Sequence, residues 1–245
     1  AGQAIAKQIL GIVEGDLWIY NGSAVKKILL ESKYAHEQIM GEGIKSDKFI
    51  VTGRLMHDKI SEVISSSKTY TSQLVKKYEL DADLPFVVTS LPPDKFNTYG
   101  ADSEFGSYRD MIEYWVSVLC NSSDYSILAS VHPSQMVNEF DFLDYKNFRI
   151  CNEPITELIP LASLYVVDCS ATSRLAAASG VPVLDYDIYR FNLEFNKLGK
   201  GLVSVSNKFD FEKSWKYLSK NKSELRKLQS LQASNAKKFG VSDGK

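Results

Sequence analysis

A doubly wound α/β domain built on a parallel, Rossmann-like sheet is the fold class this 245-residue sequence predicts. Three observations carry it. Short apolar, β-branched runs alternate with helix-compatible stretches along most of the chain. The segment LYVVDCSATSRLAAASGVPVLDYD at 164–187 compresses strand, tight crossing, helix and strand into one βαβ unit, which obliges its two strands to run parallel. Within it, Leu164 to Val167 have the β-branched and aromatic character of a strand buried on both faces, as parallel strands under two helical layers must be.

In chain order, Ile28 to Leu30 make a short strand, Tyr34 to Met40 a helix, Phe49 to Thr52 a strand and Leu55 to Ile64 a helix. The polar stretch SSSKTYTSQ at 65–73 reads as a helix-to-helix connection, with helix resuming over Gln73 to Tyr78. Pro85 to Ser90 (PFVVTS) is a strand, Gly106 to Leu119 a long amphipathic helix, and Tyr125 to Val131 and Phe148 to Cys151 two further strands. Glu153 and Pro154 open a helix that runs to Ala162, since proline is pre-organised for a first helical turn. Arg174 to Ser179 is small and helical, and Gly180 stops it. Val181 to Leu184 then form a strand with Pro182 at its start, outside the ladder. A loop rich in Tyr, Phe and Asn leads to a strand at Leu202 to Val205 and to helices over Phe211 to Ser219 and Ser223 to Phe239. The lysine-rich SKNKSELRKLQ at 219–229 forms the solvated face of that last pair. Residues 26–245 are expected to form this domain. Residues 1–25, a helix-like stretch with no strand before it, read as the remnant of a preceding domain or linker.

Composition narrows the possible partners. At 44% hydrophobic and 24% charged the chain is ordinary for a globular protein, and a net charge of −1 gives no general attraction to nucleic acid or anionic lipid. Nucleic acid is therefore not an expected partner, and a membrane is one only peripherally. No apolar run reaches the ~18 residues needed to span a bilayer, and no signal peptide is evident, so a cytoplasmic protein is expected. Cys120, Cys151 and Cys169 lie in or beside apolar segments without CxxC spacing, which predicts buried reduced thiols rather than disulfides or a zinc site. Neither metal nor cofactor is predicted.

Ligands of doubly wound sheets sit outside the carboxyl ends of the strands, so the residues that follow each strand are the candidates. They are Thr52-Gly53-Arg54, Leu91-Pro92-Pro93-Asp94, His132-Pro133-Ser134-Gln135 and Asp168-Cys169-Ser170-Ala171-Thr172. Gly53 suits a turn that a ligand can approach closely. A helix starting near Ser170 offers unpaired N–H groups and small hydroxyls from Ser170, Thr172 and Ser173, which suits a phosphate; the same residues also suit simple helix capping. Arg54 fits either a phosphate or a surface acid. Asp168 is expected to hold the serine loop through backbone N–H groups. His36 and His57 read as helix-surface residues, and Asp185, Tyr186, Asp187, Tyr189 and Arg190 either meet a ligand hydroxyl or cover the pocket.

The order VTGRLMHDKI, PFVVTS, SVHPSQ and ITELIPLASLYVVDCSATSRLAAASGVPVLDYD resembles the carboxyl-terminal nucleotide-binding half of GT-B glycosyltransferases and their relatives. Those relatives are the UDP-N-acetylglucosamine 2-epimerases and the CDP-glycerol or CMP-sugar transferases of bacterial polysaccharide synthesis. ESKYAHEQIMGEGIKSDKFIVTG resembles the opening of that half and NAKKFGVSDGK its close, so the likeness covers roughly residues 26–243. It implies a nucleotide-sugar donor bound at Gly53, Arg54, His132, Pro133, Ser170, Thr172 and Ser173, and a carbohydrate or polyol acceptor. His132 would touch nucleotide or phosphate, and the serine region would hold the distal phosphate. The ribose-binding Glu of many members has no match, because Arg174 and Leu175 stand there. This favours CMP-sugar or CDP-polyol transferases over retaining UDP- or ADP-sugar enzymes. A general base normally comes from the other domain, and neither Glu14 nor Asp16 suits that role. An epimerase relative and a non-catalytic nucleotide-sugar-binding module are the alternatives. The former is disfavoured by the lack of a Ser-Gly-Gly motif and paired Glu.

Overall fold

Six strands, all parallel, form the centre of the computed structural model, which describes residues 26–41, 47–53, 55–100, 103–132, 134–192 and 200–236. They are β3 (Phe86–Ser90), β4 (Ser126–Ser130), β5 (Phe148–Cys151), β6 (Ala162–Val167), β7 (Val183–Tyr186) and β8 (Leu202–Val205), in spatial order β5-β4-β3-β6-β7-β8. Neighbouring strands of a parallel sheet send alternate residues to opposite layers, and the core divides accordingly. Val87, Ile127, Ala129, Leu164 and Val166 face one layer, whereas Phe86, Val88, Leu128, Tyr165 and Val167 face the other.

The first layer is built on α5 (Tyr108–Cys120), α8 (Lys208–Lys220) and α9 (Lys222–Ala236). Ser107 caps α5 by accepting from the Asp110 N–H, and Asn207 caps α8 in the same way from Asp210. Trp115 stacks with Tyr186 and Phe211, ring centroids 5.8 and 5.2 Å away, and those two rings stack on each other at 4.7 Å. Its Nε1 donates to Thr89 Oγ1, which itself donates to the Val166 carbonyl, so the buried threonine on the central strand is fully satisfied. The second layer contains α2 (Leu55–Ser65), α3 (Ser67–Tyr78), α6 (Ile155–Leu158) and α7 (Ser173–Ala178). The small residues of α7 let α9 approach, and Gly180, at φ +70°, ends α7 against Ala233.

Several sequence expectations are corrected by the tertiary structure. β1 (Ile28–Leu30) and β2 (Phe49–Val51) do not extend the main sheet; they form a separate two-stranded parallel sheet covered by α1 (Lys33–Gly41). The polar 65–73 stretch is mostly helix, because Ser66 ends α2 and the polar residues of α3 lie on its outer face with Leu74 as its buried anchor. The expected helix over 154–162 is one α-turn followed by a 3₁₀ turn at Ile159–Leu161, where Pro160 has no N–H to donate, and Ala162 already belongs to β6. β7 begins two residues later than expected, which brings Asp185 and Tyr186 into the ladder opposite Ser204 and Val205. Two short elements, α4 (Phe96–Tyr99) and a 3₁₀ turn at Val137–Phe140, are additional. His57 is buried rather than on the surface, and His36 is half-buried, edge-on to Phe49. Cys151 and Cys169 are buried and Cys120 half-buried, and none of the three is in a disulfide. Among the described residues no helix is long and apolar enough to cross a membrane.

Candidate functional site at the sheet switch point

The chain winds outward from β3 through β4 to β5, crosses back, and winds the other way from β6 through β7 to β8. The direction of winding reverses between β3 and β6. Loops leaving those two carboxyl ends diverge and open a crevice, which is where open α/β sheets take ligands.

Four hydroxyls form a hydrogen-bonded chain at the base of that crevice, from half-buried Ser90 through fully buried Tyr165 to half-buried Thr172 and Ser170. Ser90 ends β3, and its Oγ lies 2.6 Å from the Tyr165 hydroxyl of neighbouring β6. The same Tyr165 oxygen lies 2.6 Å from Thr172 Oγ1, which donates to Ser170 Oγ at 3.0 Å. Ser170 Oγ also accepts from the Thr172 N–H at 3.3 Å. Thr172 occupies the N-cap position of α7, yet its side chain makes no capping bond. Of the two sequence readings of these hydroxyls, simple capping by Thr172 is therefore not what the local geometry holds. Ser173 is buried, and its hydroxyl donates to the Ser170 carbonyl at 2.8 Å, so it shapes the turn from inside.

Next to β3 on the other side, Ser130 of β4 pairs with Ser90, and the exposed His132 follows two residues later. Its Nδ1 accepts from the Ser134 N–H at 3.2 Å and lies 2.6 Å from Ser134 Oγ. The neutral ring therefore carries its proton on Nε2, the nitrogen left to meet a ligand as a donor. Two strand spacings of about 4.8 Å separate β4 from β6, so the strands that lead to His132 and Ser170 lie roughly 10 Å apart. Gln135 Nε2 donates to the Tyr108 hydroxyl, which donates to the Pro92 carbonyl, and this ties the loops after β3 and β4 together.

Beneath the serine loop lies a layer of buried carboxyls. Asp185 accepts from the Cys169 N–H at 2.7 Å and so holds Cys169 in its left-handed conformation of φ +38°. This is the loop-holding part the sequence expectation gave to Asp168. Asp168 instead accepts from the Ile188 N–H at 3.2 Å, and Asp187 accepts from Phe191 and Asn192 at 2.8 and 2.6 Å. All three acids are buried, with Tyr186 in the aromatic core, so they serve the loops rather than present themselves to a ligand. Burial first, and then the neighbouring Asp185 charge, push the Asp168 carboxyl up to about 8. Among the described residues no group of His, Cys, Asp and Glu is arranged to hold a metal ion.

Gly53 has the positive φ of +80° its turn requires, but it sits at the carboxyl end of the small β1–β2 sheet rather than on the six-stranded rim. That end is linked to the site. The Thr52 N–H donates to the Leu30 carbonyl, and Glu31, the next residue, pairs with Arg174 of α7 at 2.9 Å. Arg54 and Pro133 lie outside the described residues. Ser90 and Tyr165 are the site residues that sequence reasoning missed. Ser90 carried the signal of a hydroxyl at a strand end, whereas Tyr165 in a buried strand carried none.

A six-stranded parallel sheet flanked by helices, with its crevice at this switch point, is a Rossmann-like α/β fold. Among solved structures, the wall teichoic acid polymerase TagF superposes with a TM-score of 0.63 at 16% identity, over 89% of this chain and 54% of that one. The UDP-GlcNAc 2-epimerase from Neisseria meningitidis, bound to UDP-GlcNAc, gives 0.60 at 15% identity over 88% and 58%. The S. aureus MnaA–UDP structure gives 0.58 at 18% identity over 86% and 56%. The chain thus spans about half the length of the structures it matches. No family model and no curated protein sequence matches it.

Proposed function

We propose that this chain is the donor-binding half of a glycosyltransferase that uses a CMP-, CDP- or UDP-linked sugar or polyol, of the kind that builds bacterial polysaccharides. The observation that carries the reading is the crevice between β3 and β6, with the Ser170 loop on one side and the Nε2–H of His132 on the other. In transfer from a nucleotide donor the leaving group is a nucleoside phosphate, and the charge that develops on it is stabilised by fixed donors. Ser170 and His132 supply such donors, while Asp185 fixes the loop that carries Ser170. Gly53 and Arg54 border the same donor in this reading, and Pro133 restricts His132 to an extended backbone. A base for the acceptor hydroxyl belongs to a part of the enzyme beyond this half.

Calorimetric titration of CMP, CDP, CDP-glycerol, UDP and UDP-GlcNAc into the chain tests the proposal. Binding of at least one, weakened in Ser170→Ala, is expected; no heat from any of them overturns it. Incubation of a longer protein with the ligand that binds separates transfer, read as nucleotide release that depends on an acceptor, from epimerisation, which inverts a sugar carbon and releases no nucleotide.

A further inference from the structure

Each of the four crevice hydroxyls owns a single proton, so their bonds can be assigned a direction. Thr172 spends its proton on Ser170 Oγ. The 2.6 Å contact between Thr172 Oγ1 and Tyr165 is then donated by Tyr165, and the 2.6 Å contact between Tyr165 and Ser90 by Ser90. Ser170 Oγ receives two donors, the Thr172 hydroxyl and the Thr172 N–H, which fills both its lone pairs. Its own proton has no acceptor among the described residues. The chain runs one way, Ser90 to Tyr165 to Thr172 to Ser170, and ends in an O–H at the crevice. Hydrogen bonds aligned in series polarise one another, which makes that last donor stronger.

We propose that Tyr165 is a positioning residue that makes Ser170 a donor and nothing else, committing this corner of the site to a deprotonated phosphate oxygen. The inference rests on the nucleotide-binding reading and deepens it. Tyr165 never meets the ligand, being fully buried, and burial pushes its hydroxyl up to about 12, so it stays a donor across the physiological range. Without the Tyr165 hydroxyl, Thr172 Oγ1 loses its incoming proton and becomes an acceptor that competes for the Ser170 proton. Ser170 can then turn inward, and its bond to the ligand is lost in that arrangement.

The test is a double-mutant cycle read by calorimetry with CDP, UDP and inorganic pyrophosphate, using Tyr165→Phe, Ser170→Ala and the pair. Tyr165→Phe should weaken anion binding about threefold to tenfold, the scale of one net hydrogen bond. In the Ser170→Ala background the same change should cost less than about twofold, because no proton remains to be aimed. Thr172→Val removes the oxygen that would compete for the Ser170 proton, so it should weaken binding less than Tyr165→Phe does, and a Thr172→Val loss as large as that of Ser170→Ala overturns the role even should Tyr165→Phe misfold. An equal loss in both backgrounds, or no loss, overturns the positioning role, since a merely structural tyrosine has no reason to depend on Ser170. Pyrophosphate binding that follows the cycle while CDP and UDP fail to bind would support the positioning role and overturn the nucleotide reading. No binding of any of the three by the wild-type chain overturns both.

Discussion

Replacing Asp168 by asparagine removes a buried ionisable group while keeping its shape, and the structure sets the sign and the pH window of the result. The carboxyl lies in the layer beneath the serine loop, with Asp185 and Asp187 raising its proton affinity and Lys95 partly offsetting them. Burial and these neighbours move it from 3.8 to about 8 in the fold. Between those values the unfolded chain has lost the proton and the folded chain retains it, so unfolding is increasingly favoured as pH rises. The contribution is fully present below the unfolded value and lost once pH passes the folded one. Roughly four pH units at about 1.4 kcal/mol each set a ceiling on the order of 5 kcal/mol. Asparagine carries no charge and retains an oxygen for the Ile188 N–H, which Asp168 accepts at 3.2 Å. Asp168→Asn should therefore match wild type at or below about pH 4 and exceed it progressively up to about pH 8. Urea unfolding of both proteins at intervals from pH 4 to 9 provides the measurement. A stability difference independent of pH, or a wild type more stable than the variant at pH 8, would refute the reasoning.

Further consequences are open to measurement. His132→Ala should lower nucleotide affinity roughly tenfold to a hundredfold, the scale of a hydrogen bond to a charged group, whereas a histidine acting only as base would leave calorimetric affinity unchanged. Gln232 is fully buried in α9, and neither end of its amide has a partner among the described residues. Gln232→Met should raise stability by about 1 to 3 kcal/mol in denaturant unfolding, because an unpaired buried amide is replaced by an apolar chain of similar length. Gly201→Ala should do the reverse, with loss on the order of 2 kcal/mol or more. A Cβ there would lie 2.5 Å from Gln232 Cβ and 2.7 Å from the Leu228 carbonyl, neither of which can move without shifting α9.

The alternation of apolar runs with helical stretches, and the 164–187 unit in particular, determined the fold class without help from the structure. Strand burial and helix amphipathicity are local properties of composition and period, and parallel pairing follows from the length of the crossing. Candidate positions at strand ends were legible for the same reason: His132 and Ser170 follow strands the sequence marks unambiguously. The sequence could not say which strands share a sheet. The strand before Gly53 looks like the others, and its separation with β1 into a sheet of its own depends on long-range pairing that local pattern does not encode. Nor could it tell a loop-holding acid from a ligand-binding one. Asp168, Asp185 and Asp187 differ in role only through which backbone N–H groups the folded loops bring to them. Tyr165 is the clearest instance, because one of its polar partners stands 75 residues away on the neighbouring strand. In sequence it is a strand aromatic like any other; packing two strands side by side is what turns its hydroxyl into the link between Ser90 and the serine loop.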